Sequence, residues 1–237
     1  MLLLAFDTAT PAVTVALHDG AVVQASETEQ TPRRHGEVLA SMIARVLSAA
    51  GAARTDLTAI AVGTGPGPYT GLRAGLVTAR VLGSALRIPV LGVCTLDVMA
   101  REAVPAAAGR EFIVAADARR KEVYWARYAP AGLRLTDPAV SFPAEVAAAG
   151  QGDGRPGPVA GAGPELYAEL GACPIPPRYP GAAQLAQIAA ERLAERGAQN
   201  HGARSPGGPG WPEPAEPLYL RRPDARVPGP PKRVLPC

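Results

Sequence analysis

Histidine, cysteine, lysine and aromatic residues are all scarce in this 237-residue chain, and each scarcity closes off a class of function. The three histidines, His18, His35 and His201, share no element, which argues against a metal centre and against a Ser-His-Asp or Cys-His nucleophile. Cys94, Cys173 and Cys237 are odd in number, far apart and without metal-ligand spacing, so they read as reduced thiols of a cytoplasmic protein rather than a disulfide framework. No run approaches the ~18 apolar residues of a membrane span. The start MLLLAFDTAT has no basic region and meets Asp7 after a short apolar run, which predicts a core strand rather than a signal peptide. Lysine occurs only at Lys121 and Lys232, and a net charge of +3 is too small for a protein that coats nucleic acid.

What is abundant is alanine, glycine and proline, and the punctuation they provide divides the chain. Leu2 to Phe6, Val13 to His18 and Val22 to Glu27 are three β-rich runs, with a hairpin signal at Asp19-Gly20. From His35 to Ala50 the residues Val38, Leu39, Met42, Ile43, Val46 and Leu47 follow i, i+3, i+4 spacing, which predicts an amphipathic helix ending at Gly51. A strand at Ala59 to Val62, a helix at Thr70 to Leu86, a strand at Val90 to Val93 and a helix at Leu96 to Ala103 follow. After Pro105 the pattern begins again with Phe112 to Ala116, a turn from Asp117, Val123 to Tyr128 and Leu133 to Leu135, then breaks up between Gly150 and Gly163. Gln184 to Glu195 is a further helix, and from Gly197 on the composition predicts an extended tail. Helices on sheets in this order give an α/β fold whose second half is a reduced copy of the first. The expected division is a first subdomain over 1–104, a reduced second subdomain over 105–204 whose helix packs back on the first, and a Pro/Gly-rich tail over 205–237.

The densest signal is GTGPGPYTGLR, Gly63 to Arg73, which joins a strand to a helix start. It is no Walker A element, because Gly71 is followed by Leu72 and Arg73 rather than Lys-Ser/Thr. It is no dinucleotide fingerprint either, because Thr70 stands where the third glycine belongs and no acidic residue follows near 85–95. Two readings stand: an anion cradle at a helix start, or a tight structural turn that lets the helix pack close to its strand.

Five separated stretches together resemble one family: FDTAT at Phe6 to Thr10, HGEVL from His35, GPGPYTGLR at Gly65 to Arg73, DARRKEVYWARY at Asp117 to Tyr128, and PLYLR at Pro217 to Arg221. They are similar to the TsaB (YeaZ) family of bacterial threonylcarbamoyladenosine formation in tRNA. That resemblance implies the actin-like, sugar-kinase-like ATPase fold (ribonuclease H-like) and a non-catalytic paralogue of TsaD. TsaD transfers threonylcarbamoyl to the adenosine beside the anticodon of tRNAs reading codons that begin with A, and the P-loop ATPase TsaE completes the complex. Pro68-Tyr69 replaces the family's usual Ser-Phe, which keeps the aromatic and stiffens the loop. Rival readings, an actin-like ATPase or phosphotransferase and a glycoprotease-like metallopeptidase, are opposed by particular residues. Ala9 places a methyl group where such ATPases carry a phosphate-approaching glycine. Leu39 follows His35 where the catalytic relative carries its second helix histidine.

The resemblance further implies that the first two long helices form both a homodimer when the chain is alone and a heterodimer with TsaD. His35, Leu39, Met42, Leu72, Leu76 and Ala79 are the interface candidates. Loop residues with a candidate nucleotide contact are Asp7, Thr8, Gly65, Gly67, Thr70, Gly71 and Arg73, with Gly161-Ala-Gly163 as the sole candidate for a second phosphate loop. Asp117 and Arg119 are expected to order a turn. No tightly bound cofactor and no metal are expected, ATP being used by the partners. Contact with tRNA is expected through the complex, with basic residues from Arg221 to Arg233 as a candidate contribution, and no membrane association is expected.

Overall fold

The computed structural model describes residues 1–31, 34–149, 157–171, 173–199 and 215–221. Two five-stranded sheets carry the chain. In the first, β1 (Leu3–Asp7), β2 (Ala12–His18) and β3 (Val23–Gln30) form an antiparallel meander, and β4 (Ala59–Gly63) and β5 (Val90–Val93) extend it on the other side of β1 in parallel. The order is β3-β2-β1-β4-β5. The second repeats it: β8 (Ala139–Ser141), β7 (Val123–Tyr128), β6 (Phe112–Asp117), β9 (Val159–Ala160) and β10 (Pro174–Ile175) lie side by side in that order. The register coincides as well, because Leu3 pairs with Ala59 as Ile113 pairs with Val159. Asp7 and Asp117 are therefore equivalent residues at the ends of equivalent strands.

Strand alternation sends Leu4 and Phe6 to one face of the first sheet and Leu3 and Ala5 to the other. On the first face pack α1 (His35–Ala49) and α2 (Tyr69–Leu86), whose buried residues recur at helical spacing. On the second face lies α6 (Ala182–Gln199), through Ala182, Leu185, Ala186 and Ala189. The second sheet receives α3 (Thr95–Ala107) on one face, with Leu96, Met99 and Ala103 against Phe112, Val114 and Tyr128. Its other face is closed by α4 (Pro143–Ala149) and the short α5 (Gly163–Leu166). Each half thus lends its last long helix to the other half's sheet.

Several boundaries move for physical reasons. Helix α3 runs four residues past Ala103 and through Pro105, because Ala107 is buried against the second sheet and rewards the extra turn. The expected strand at Leu133 to Leu135 is instead one bridge, Tyr128 to Arg134, with Leu133 and Leu135 exposed. The edge strand is β8, a few residues later. Helix α6 runs from Ala182 to Gln199, past the expected end at Glu195 and into the stretch from Gly197 expected to be extended. The alanine-rich α4 has no readable periodicity, because Val146 alone among its large side chains marks a buried face. Among the described residues, no helix is long and apolar enough to cross a membrane.

Candidate functional site

The two halves meet at a cleft whose walls are the loops after β1 and β6, the start of α2 and the segment 215–221. The Asp7 carboxylate turns back on its own loop, with Oδ1 accepting from the amide of Ala9 at 2.7 Å. Its other oxygen accepts from the Thr95 hydroxyl at 2.6 Å, and the Thr95 hydroxyl accepts from the amide of Gly65 at 3.1 Å. Asp7 is wholly buried, and burial pushes its carboxyl above the usual range against the opposing pull of Thr95, Ala9 and the nearby His35. Thr8 ties the same loop to α2: its hydroxyl donates to the carbonyl of Gly71 at 2.7 Å and accepts from the amide of Gly75 at 3.1 Å.

The glycines of the 65–71 loop serve this contact. A Cβ at Gly67 would stand 2.1 Å from the carbonyl oxygen of Ala9, and one at Gly71 2.6 Å from that of Thr8. Both lie far inside any tolerated approach, so the glycine-rich loop presses backbone on backbone against the Asp7 to Thr10 turn. Such close packing is what the tight-turn reading of the loop requires. Beside it, Thr8, Thr10, His35, Thr70 and Arg119 border a cavity of about 310 Å³. The His35 Nε2 donates to the carbonyl of Thr10 at 2.8 Å.

Opposite, Asp117 makes the same local bond as Asp7, its Oδ1 accepting from the amide of Arg119 at 2.8 Å. It also pairs with the Arg119 guanidinium at 3.3 Å and accepts from the Tyr167 hydroxyl at 3.4 Å. Arg119, Arg120 and Lys121 all have left-handed backbone, with φ of 63°, 54° and 62°. At Gly161, in the candidate second phosphate loop, the backbone is packed just as closely, since a Cβ there would lie 2.1 Å from the carbonyl oxygen of Ala115. The extended segment after Ala215 crosses the mouth of the cleft. Ala215 is buried in the first core, the Leu218 amide donates to the carbonyl of Thr64 at 2.9 Å, and Arg221 pairs with Glu122. Tyr219 stacks on Tyr69 with ring centroids 5.6 Å apart, and Arg73 lies over the Tyr69 ring at 4.9 Å and donates to its hydroxyl.

The helix-face candidates need correction. Leu39, Met42, Leu72, Leu76 and Ala79 are at most 4% exposed and form the first core against β1, β2 and β4, so they present nothing to a partner. Of that set only His35 reaches solvent, and it faces the cleft. Beyond Tyr69 at its start, the large apolar side chains that α2 exposes are Val77 at 52% and Val81 at 61%. Their signal in the sequence is two valines four residues apart among Arg73, Arg80 and Ser84. Between α1 and α2, Ala40, Ala44, Ser48, Thr78 and Leu82 border a groove of about 590 Å³. Thr95 carries no signal in the sequence, because its role depends on a strand end brought alongside Asp7. The thiol of Cys94 is buried, which pushes it up to about 12 and leaves it unreactive. His18 accepts from the amide of Gly20 through Nδ1. Among the described residues no three His, Cys, Asp or Glu side chains gather as metal ligands. His201, Cys237 and the basic residues after Arg221 lie outside the described residues.

Comparison with known proteins decides the family. Residues 23–165 match the family model of TsaD, tRNA N6-adenosine threonylcarbamoyltransferase. An uncharacterized protein of Mycobacterium tuberculosis is 41% identical over 228 residues, covering 94% of this chain and 93% of its own. The tRNA threonylcarbamoyladenosine biosynthesis protein TsaB of Escherichia coli is 41% identical over 128 residues, 54% of this chain and 55% of that protein. A crystal structure from Pseudomonas aeruginosa, described as similar to peptidase YeaZ, superimposes with a TM-score of 0.74 at 31% identity over 93% of this chain and 99% of that one. The chain belongs to the TsaB (YeaZ) family.

The fold is accordingly the actin-like, sugar-kinase-like one. The activator of 2-hydroxyisocaproyl-CoA dehydratase from Clostridium difficile shares it at 12% identity, with a TM-score of 0.51 over 86% of this chain. Within the TsaB family frame, the five sequence stretches converge on one place. FDTAT is the first turn, GPGPYTGLR presses on it, DARRKEVYWARY is the opposing hairpin, PLYLR crosses between them, and the HGEVL histidine closes one end.

Proposed function

We propose that this chain is a non-catalytic accessory subunit in the formation of threonylcarbamoyladenosine in tRNAs reading codons that begin with A. In this reading it docks through α1 and α2 on a catalytic partner of the TsaD class and works together with the ATPase TsaE. The observation that carries the docking is the α1–α2 face. Two valines, Val77 and Val81, are exposed on α2, and the groove between α1 and α2 is edged by the small residues Ala40, Ala44 and Ser48, a surface that lets two helix pairs approach closely. The same face serves a second copy when the partner is absent, so homodimer and heterodimer compete.

Absence of independent catalysis is supported by the crowded first turn. The carbonyl oxygens of Ala9 and Thr8, which repel an anion, crowd the loop at Gly67 and Gly71, Pro66 and Pro68 have no amide to donate, and Asp7 is sealed by Thr95. Tight ATP binding is therefore not expected, and ATP use falls to the partners. The defining test is threonylcarbamoyl transfer to unmodified tRNA by cognate TsaD and TsaE supplied with threonylcarbamoyl-adenylate. Product forms only when this chain is added. The variant Val77→Asp/Val81→Asp keeps its fold, loses partner affinity by about 30-fold or more and loses stimulation with it. Equal product without the chain would refute the accessory reading, and micromolar ATP binding by the isolated chain would favour an actin-like ATPase instead.

A further inference from the structure

At the cleft mouth lies a cavity of about 460 Å³, distinct from the α1–α2 face. Its walls combine two kinds of side chain that rarely meet for structural reasons alone. Tyr69 and Tyr219 are stacked on each other yet remain 54% and 47% exposed, with Tyr124 behind them. Arg119, Arg120 and Arg221 line the same space, and Arg73 lies over the Tyr69 ring, so the Tyr219 ring carries the open face of the stack. Lys121 stands on the same turn, and the ion pairs of Arg119 with Asp117 and of Arg221 with Glu122 hold two of these guanidinium groups at the mouth.

We propose that this mouth is a contact site for an unpaired nucleotide of RNA. The aromatic pair offers a flat platform for a base and the flanking cations face the backbone phosphates on either side, the combination used to hold single strands without sequence preference. A free nucleotide shares that chemistry, but its polyphosphate needs close-set backbone amides. In this chain the 65–71 loop carries Pro66 and Pro68, which have no amide to give, and Gly67 and Gly71 pack against the carbonyl oxygens of Ala9 and Thr8, which repel an anion. The observations therefore favour a chain of single phosphates over a nucleoside triphosphate. Crossing of the mouth by residues 215–221 gives the platform its second ring, so the docked tail, rather than the tail beyond it, makes the site. The inference rests on the tRNA-modification reading and adds a direct RNA contact by this subunit.

The test uses the full chain and a fluorescein-labelled single-stranded adenine-rich oligoribonucleotide, followed by anisotropy across a salt series. Wild type binds with a salt-dependent affinity. Tyr219→Ala weakens binding about tenfold while Tyr219→Phe stays within about twofold. Arg120→Gln lowers the salt slope by about 0.7. Absence of binding by the wild type, or equal affinity in Tyr219→Ala and Tyr219→Phe, overturns the proposal. Adenosine monophosphate displacing the oligomer at equal nucleotide concentration also overturns it, in favour of a free-nucleotide site. Should Tyr219→Ala fail to fold, Arg120→Gln decides alone, and an unchanged affinity and slope count against the site. Val77→Asp/Val81→Asp is run alongside: it retains RNA binding if the two surfaces are separate, so failure of partner docking and failure of RNA contact are read independently.

Discussion

Asp7 and Asp117 occupy the same position in two copies of one sheet and make the same bond to the amide two residues on, at 2.7 and 2.8 Å, yet their surroundings differ. Asp7 is wholly buried behind the 65–71 loop and held by Thr95. Asp117 faces the cleft, paired with Arg119 and Tyr167. Duplication has preserved the backbone of the turn while packing has assigned the two carboxylates opposite environments. One turn has become part of a core and the other part of a surface. The sheets behind them differ in the same sense: β3, β4 and β5 run eight, five and four residues, whereas their equivalents β8, β9 and β10 run three, two and two. The shorter sheet leans on α3 and on the docked tail for cover.

The sharpest way to break this comparison is at two glycines. A methyl group at Gly67 or at Gly161 meets a main-chain carbonyl at 2.1 Å, and Gly161 also has a φ of +102°. Neither neighbour is a flexible side-chain tip that yields. Gly67→Ala and Gly161→Ala are each expected to cost about 3 kcal/mol, measured by urea unfolding. If the halves unfold as one unit, both variants shift a single transition. A Gly161→Ala curve that splits, with near-ultraviolet and far-ultraviolet signals falling at different urea concentrations, would show that the short sheet unfolds alone.

Much of this is legible in the sequence, and the portion that is not has a common cause. The long elements α1 and α2 are readable because six apolar or small residues at i, i+3, i+4 spacing define one buried face in each, and the hairpin is readable from Asp19-Gly20. The glycine loop is unusual on composition alone, but the choice between anion cradle and packing turn depends on the Asp7 turn, which approaches it only in three dimensions. Met42 and Leu76 fail as partner residues for a related reason. Periodicity identifies the apolar stripe of a helix, and that stripe faces its own sheet first. Only the remainder of the helix is open to a partner, and there Val77 and Val81 are the departure from polar composition. The edge strand of the second sheet escapes the sequence because three residues, Ala139–Ser141, carry too little pattern to outweigh Leu133 and Leu135.

A smaller effect is expected from the docked tail. Ending the chain at residue 214 removes Ala215 from the first core, Leu218 from the second half's core, and the Arg221 pairing with Glu122. The apolar area returned to water corresponds to a loss of about 2 kcal/mol, or about 4 to 8 °C in Tm for a chain of this size. Differential scanning calorimetry checks it. The loss is expected to concentrate in the second half, with hydrogen exchange rising at β6 and β7 more than at β1 and β2. Equal deprotection of both sheets would mean that the tail supports the whole molecule rather than the weaker copy.

The two aspartates themselves provide the finest comparison. Burial raises the Asp7 carboxyl above its ordinary value, so between about pH 4 and its raised value the folded chain keeps a proton that the unfolded chain has released. Folded protein then binds more protons than unfolded, and stability falls as pH rises through that window before levelling off. Asp7→Asn keeps the acceptor for the Ala9 amide and removes the ionisation. Its urea midpoint is expected to lose that decline and to match or exceed the wild type at pH 7. Asp117→Asn removes only a partly exposed pair with Arg119, and its stability at pH 7 is expected to change by less than about 0.5 kcal/mol. A wild-type decline that survives in Asp7→Asn would place its source elsewhere. It would also mean that the seal formed by Thr95 and the glycine loop leaves Asp7 in contact with water, which would make the two turns alike in environment as well as in backbone.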